Sequence, residues 1–257
     1  QRNNCSIIFN PMGVHFNSDN ALPRCAAIMK KAILVQKASV RGLGRDELVI
    51  REFLSRAGYS VVRKPLGHPY WILLKIFRFV DLIVVTERPS RRWICSSIPS
   101  VFIPNQEWLK EQKLDTVRRY SLVWAKTEEC RRQLASYGVE SNVQLLGFSS
   151  IIRNNTENSY RPAGERPRRF LHVAGANKYK GTDCLVEAWL SHPYWPLLTI
   201  VSADPAPRDL PKNIDWIDGF VSDQRLAELR RGHCFHIQPS EVEGWGHSPR
   251  QSVLEGA

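Results

Sequence analysis

Two short stretches of this 257-residue chain place glycines and charged residues where a strand-like run gives way to a helix-like one. The first is Gly175-Ala-Asn-Lys-Tyr-Lys180-Gly181 and the second Ser240-Glu-Val-Glu-Gly-Trp-Gly-His247. A glycine-bearing turn at a helix N-terminus offers free backbone N–H groups and the positive end of the helix dipole, which suits a phosphate. Lys178 or Lys180 would add a mobile cation. The first stretch is neither GxGxxG nor a P-loop, and alone it reads as an ordinary turn with exposed lysines. The second is more specific. Gly244 and Gly246 let the backbone approach a ligand closely or take dihedrals that other residues avoid. Glu243 can accept hydrogen bonds from sugar hydroxyls, and the N–H groups around Gly246 and His247 can meet a phosphate. The plainer alternatives are a helix cap for Glu243 and a solvent-facing place near it for His247. Two such turns in one α/β unit favour the ligand.

The elements that must position these turns alternate along the chain. Ser6–Phe9, Ser60–Arg63, Asp81–Thr86, Ser100–Pro104 and Ser121–Ala125 read as strands, short and rich in β-branched residues. Asp46–Ala57 and Thr127–Tyr137 carry helical apolar spacing, and each runs into a glycine. Residues 151–168, with their polar, proline-containing flanks, read as a linker between a first domain (1–150) and a second (169–257). In the second, strands at Phe170–Ala174, Leu197–Val201, Ile214–Ile217 and Cys234–Gln238 alternate with helices at Thr182–Leu190 and Ser222–Arg231. Strands separated by helices imply βαβ units and mostly parallel sheets, here two Rossmann-like domains. Ligands of such sheets bind beyond the carboxyl ends of strands, so the loops after Ala174 and Gln238 should face one crevice.

Charge is divided unevenly. The net charge is +11. Residues 1–150 hold 23 Lys and Arg against 12 Asp and Glu, and residues 151–257 hold 13 against 13. A basic first half fits an anionic partner, nucleic acid or a lipid surface, or else a solvated basic face. The six cysteines are scattered singly, without CxxC, which speaks against zinc or a disulfide framework and for buried free thiols in a reducing compartment. No run of eighteen apolar residues suggests a spanning helix. Tyr70–Phe79 (YWILLKIFRF) is aromatic and basic. It reads as core packing with Lys75 and Arg78 snorkelling outward, the alternative being an interfacial helix that touches a membrane. The N-terminus lacks the pattern of a signal peptide, so a cytoplasmic protein is expected, with a natural start that lies further upstream.

Residues 169–257 resemble the donor-binding domain of the GT-B glycosyltransferases of the large retaining group. The pieces that carry the likeness are Leu171-His-Val-Ala-Gly175, Lys180-Gly-Thr182, Ser191-His-Pro-Tyr-Trp-Pro196, Gly219-Phe-Val221, and Pro239-Ser240 running into Glu243-Gly-Trp-Gly-His247. In the first half, Ile103-Pro-Asn-Gln-Glu-Trp108 and Trp124-Ala-Lys-Thr127 are similar to segments of the acceptor domain of some bacterial and phage-type members.

The resemblance implies a nucleotide-diphosphate sugar as donor substrate, UDP- or GDP-linked, with no metal or cofactor required and net retention at the sugar. It implies Lys180 at the donor diphosphate and Glu243 at the transferred sugar as catalytic residues. His15, after the first strand in Met12-Gly-Val-His15, is added to them by position alone, where a histidine is more often structural. Around the donor the resemblance places Gly175, Asn177, Lys178, Lys180, Phe220, Val221, Ser240, Glu243, Gly244, Gly246, His247 and Gln251. On the acceptor side stand Gly13, His15, Glu87, Arg88, Arg91, Arg92 and Asn105. An anionic acceptor is expected, modified DNA or a lipid-linked glycan at the inner face of a membrane. Two departures are visible. The family's second glutamate, eight residues after the first, is Gln251 here, and Ala176 and Asn177 stand where an arginine is usual. Domains of this kind also continue past Ala257, so a short variant, or a missing C-terminal segment or second chain, is expected. The competing reading is a catalytically degenerate GT-B module that binds nucleic acid or a protein partner.

Overall fold

The computed structural model describes residues 29–37, 43–148, 166–176, 178–241 and 243–255. The strand expected at Ser6–Phe9, the candidates Gly13, His15 and Asn177, Cys5 and Cys25, and most of the expected linker lie outside them. The chain divides into two compact units, Gln1–Arg153 and Asn154–Ala257.

In the first unit, the apolar runs form a six-stranded, wholly parallel sheet. Its strands are β1 (Lys30–Gln36), β2 (Tyr59–Pro65), β3 (Leu82–Glu87), β4 (Ser100–Pro104), β5 (Leu122–Ala125) and β6 (Val143–Leu145), in the order β2-β1-β3-β4-β5-β6. Ala32–Val35, Leu82–Val85 and Val101–Ile103 are buried throughout, as strands covered on both faces must be. Helix α1 (Leu43–Arg56) links β1 to β2. The short α2 (Tyr70–Ile76) and α3 (Leu114–Val117) follow β2 and β4, and α4 (Glu128–Ser136) links β5 to β6. Thr127 caps α4 by accepting from the Cys130 N–H at 3.1 Å, and Glu128 and Glu129 sit favourably in its first turn. The core is closed by Trp93, which donates its indole N–H to the Leu66 carbonyl at 2.8 Å, and by Phe102 stacked on Tyr120.

The second unit holds a four-stranded parallel sheet of β7 (Phe170–Gly175), β8 (Leu198–Ser202), β9 (Ile214–Asp218) and β10 (Phe235–His236), in the order β10-β7-β8-β9. Helices α5 (Thr182–Leu190), α6 (Asp223–Gly232) and α7 (His247–Leu254) connect or follow them. Ser222 caps α6 through its hydroxyl, which accepts from the Arg225 N–H at 3.2 Å. The Ser191–Pro196 segment is a packed turn: Trp189 donates to the Pro196 carbonyl at 2.9 Å, and His192 stacks on Trp195 at 4.1 Å between centroids.

Four expectations are corrected. The interior strand β1 was not among the strands expected, although it is buried from Ala32 to Gln36. The strand at Cys234–Gln238 shrinks to Phe235–His236, because the chain bends away after the Ile237 N–H bonds to Leu171. Tyr70–Phe79 is only half core: Leu74 is buried, but Ile72, Leu73, Ile76 and Phe77 are exposed. Free thiols are present at Cys95, Cys130, Cys184 and Cys234, yet only Cys130 is buried and Cys184 is exposed.

Candidate functional site

The second unit reverses its strand order between β7 and β10. From β7 the chain winds outward through β8 and β9, then returns to place β10 on the other side of β7. This is the switch point of the sheet, and in open α/β sheets ligands bind beside the loops that leave the carboxyl ends of the strands at such a point, here β7 and β10. These two loops are the glycine-bearing stretches singled out above.

Four contacts hold these loops together. His172, fully buried in β7, donates Nδ1–H to the Ile237 carbonyl at 3.0 Å, which leaves Nε2 to accept from the Thr182 hydroxyl at 3.0 Å. Burial pushes the His172 imidazole below its ordinary range, and nearby Lys180 pushes the same way, so the neutral ring is the one that bridges. The Glu241 N–H bonds to the Tyr179 carbonyl at 2.9 Å. Gly181, with φ of +68°, lies against the Pro239 carbonyl so closely that a Cβ would overlap it. Finally, the Lys180 ammonium pairs with Glu243, whose same oxygen accepts from the Ser240 hydroxyl at 2.7 Å.

Both loops end in left-handed glycines, Gly181 before α5 and Gly246 (φ +74°) before α7. Neither helix has a side-chain cap, so neither glycine supplies an acceptor to the first-turn N–H groups. Arg250 lies over the Trp245 ring at 3.6 Å and donates to the Trp245 carbonyl, and Gln238 donates to Ser248 at 3.2 Å. These contacts set the path of the Glu243–Gly246 turn from both sides.

Of the donor-side residues, Lys180, Ser240 and Glu243 thus meet directly. Gly244 and Gly246 are buried in the turn behind them, and His247 and Gln251 sit in α7. Gly175 (φ +62°) and Lys178 are exposed on the other loop. Phe220 and Val221 follow β9, two strands from β7. Phe220 is 76% exposed, and Val221 packs into a small cluster with Leu171, Val201 and Leu229. His172, Thr182 and Pro239 escaped the list of candidates. A histidine amid the apolar run Phe170–Ala174 was the available signal.

In the first unit the switch point lies between β1 and β3, and polar residues gather there. Gln36, at the end of β1, donates to Glu87, at the end of β3, at 3.4 Å. Lys126, one residue past β5, bonds Asp46 of α1 at 2.5 Å and Asn105, one residue past β4, at 2.6 Å. Glu87 is buried and holds a left-handed backbone (φ +66°), an uncommon state for a non-glycine residue that often marks a functional strand end. Burial raises its carboxyl above the ordinary carboxylate range; the Gln36 bond and Lys126 oppose this. Arg88, next to Glu87 in sequence, adds its positive charge to the field at that carboxyl. Arg88 lies near the Trp108 ring, Arg92 near Trp71, and Arg91 is exposed beside it. Gln36, Asp46 and Lys126 were not among the candidates. A lysine directly after a buried strand end was the visible clue. Among the described residues no group of three or more His, Cys, Asp or Glu side chains is placed to hold a metal ion.

No protein-family model and no curated protein matches the chain. Solved structures do. A glycosyltransferase from Rickettsia africae ESF-5 is similar at 14% identity and TM-score 0.59, over 89% of this chain and 77% of that one. An α-glucosyltransferase in complex with UDP and a 13-mer DNA containing a HMU base is similar at 12% identity and TM-score 0.53, over 83% and 73%. The lipopolysaccharide outer core galactosyltransferase WaaB, in its apo form, is similar at 10% identity and TM-score 0.53, over 88% and 78%.

The fold is that of the GT-B glycosyltransferases.

Two parallel α/β units are what that fold requires, and at these identities the likeness concerns architecture. Among the described residues no helix is long and apolar enough to cross a membrane.

Proposed function

We propose that this GT-B chain transfers a sugar from a nucleotide-diphosphate sugar to an acceptor, with retention at the sugar carbon. The observation that carries this reading is the meeting of Lys180, Ser240 and Glu243 at the switch point of the second sheet, near the glycine-led N-termini of α5 and α7. Lys180 and the N–H groups at the start of α5 and α7 would receive the diphosphate, where positive charge and helix dipoles stabilise the departing nucleoside diphosphate. Glu243, released from Lys180, would accept hydrogen bonds from the sugar hydroxyls. Retention rests on the resemblance to the retaining group.

The acceptor is proposed to be anionic and to lie against the first unit, which carries the whole charge excess. One structure of similar fold holds UDP and DNA, and another is a lipopolysaccharide galactosyltransferase, so modified DNA and a lipid-linked glycan are the two acceptor classes to try. Glu87 and Asn105 would contact the acceptor hydroxyl, with Lys126 holding Asn105 in place.

Calorimetry with UDP, GDP, ADP and their sugar conjugates tests the donor site. One nucleotide sugar should bind wild type and bind Glu243→Ala more weakly; no binding by a folded protein overturns the reading. Gln251, a neutral residue where the retaining group has a glutamate, favours the second reading of a binding module without turnover. Donor binding without transfer or hydrolysis would decide for it.

A further inference from the structure

The outward side of α2 breaks the usual rule for a surface helix, which turns its apolar stripe inward and its charges to water. Leu74 points into the core, and Tyr70, Trp71 and Phe79 pack against that core from its edge. On the opposite flank, Ile72 is 46% exposed, Leu73 44%, Ile76 66%, and Phe77, just past the helix, 60%. At about 100° per residue, Ile72, Leu73 and Ile76 fall within one arc facing away from Leu74. Four large apolar side chains thus share one exposed face.

What surrounds them is cationic. Residues 57–80 contain Arg63, Lys64, Lys75 and Arg78 and no acid, and residues 88–106 contain Arg88, Arg91 and Arg92 and no acid. Arg63 is paired with Glu47. Lys64 instead lies over the Tyr70 ring at 4.6 Å, Lys75 over Trp71 at 5.1 Å, and Arg92 near Trp71 at 5.9 Å. Arg78 and Arg91 are exposed alongside. Cations therefore ring the apolar face, with a half-buried tryptophan and tyrosine at the boundary between the two.

We propose that the outward face of α2, with Phe77, is a docking surface that seats the first unit on an anionic lipid bilayer. The charge pattern selects this occupant. A nucleic acid would use the cations, but it offers nothing to Ile72, Ile76 and Phe77, since phosphate contacts call for no apolar centre. A protein partner of ordinary composition would present both signs of charge at its rim. A bilayer with acidic headgroups takes apolar side chains at the acyl boundary, aromatic residues at headgroup level and long cations among the phosphates, and these are the three layers seen here. Each cation near such a surface adds roughly fivefold to binding. The surface is peripheral, and the proposal stands independently of the sugar-transfer reading.

The test is co-sedimentation of the full chain with vesicles of phosphatidylcholine alone and of phosphatidylcholine with phosphatidylglycerol. Wild type should pellet with the acidic vesicles and hardly with the neutral ones. The double variant Ile76→Ser with Phe77→Ser, which keeps every charge, should lose about tenfold or more in apparent affinity. The variant Lys75→Glu with Arg78→Glu should lose at least as much. All four positions are exposed, so unchanged circular dichroism and melting are expected and serve as the folding control. Acidic-vesicle binding that is absent in wild type, or untouched by the serine variant, overturns the proposal, the latter leaving a basic surface and no more. So does a serine variant whose only change is loss of self-association in light scattering, which would make the face a contact between copies of the chain.

Discussion

Gly181 and Pro239 touch backbone to backbone, and this contact lets the two loops of the second unit lie against each other. The left-handed φ at Gly181 turns the chain into α5, and the missing side chain admits the Pro239 carbonyl. Gly181→Ala should therefore combine backbone strain of about 1–2 kcal/mol with a steric overlap, and lower stability by more than the strain alone. Gly175→Ala is the matched control. Its φ is also positive, at +62°, but nothing lies within 4 Å of the added carbon. Thermal melting of the two variants should separate them, with the larger loss at position 181. Equal losses would remove the close approach from the account.

His172 should be hard to replace even with a side chain of similar bulk. In His172→Leu the Ile237 carbonyl and the Thr182 hydroxyl lose their shared partner, at a cost of about 1–3 kcal/mol for each group left unsatisfied. Under the proposed function the same variant should weaken donor binding, because both loops lose an anchor. Melting and calorimetry on one sample measure both effects.

The first unit offers a buried ion pair as a second test. Lys126 and Asp46 retain only 3% and 8% of their side-chain exposure. Lys126→Met leaves Asp46 buried without its cation, with an expected loss of about 3–5 kcal/mol. Adding Asp46→Leu should recover most of that loss. Urea unfolding of the single and double variants reads the difference, and additive losses would show that the pair is not coupled.

Stability should fall in mild acid through the second unit's histidines. Burial lowers His236 to about 4, and lowers His172 and His233 from the usual imidazole range. Below about pH 6.5 the unfolded chain takes up protons that the native histidines refuse, so the unfolded state gains. The slope expected from His236 approaches about 1.4 kcal/mol per pH unit between 6.5 and its native value, with the loss on the acid side. Glu87 has the opposite sign: its raised carboxyl holds a proton better in the native state, so its contribution is present at low pH and fades as pH rises. Melting temperature against pH, for wild type and for His236→Gln, isolates the histidine part.

Replacing either charge of the candidate site should be felt mainly in ligand binding. Lys180→Ala and Glu243→Gln are each expected to weaken the nucleotide sugar by about tenfold or more, the worth of one charge-assisted hydrogen bond. Calorimetry checks it; unchanged affinity in both would detach these residues from the donor.

Much of this arrangement could be read in the residues before any coordinates. Helix α5 runs from Thr182 to Leu190, as the apolar spacing predicts, and Thr127 and Ser222 proved to be caps at the expected starts of α4 and α6. These signals are local. Strand β1 was less legible because Ala32–Val35 is a short apolar run flanked by lysines, and periodicity alone cannot tell such a run from a buried helical turn. The outward side chains of α2 were misjudged for a related reason: hydrophobicity announces burial unless something other than the core is meant to receive it. Partners drawn from distant positions, such as Lys126 with Asp46 or His172 with Ile237, leave no spacing in the sequence to detect.

The ion pair between Lys180 and Glu243 has a further consequence for selectivity. An anion that seeks Lys180 must first displace a carboxylate already in place. Inorganic phosphate or a bare diphosphate would take Lys180 away from Glu243 and bring no hydroxyl to the carboxylate. A ligand that joins a diphosphate to a polyol would satisfy both residues at once, cation to phosphate and carboxylate to hydroxyls. Under the proposed function the pair would thus work as a conjunction, ranking whole ligands above their fragments by more than the fragments' separate affinities would suggest.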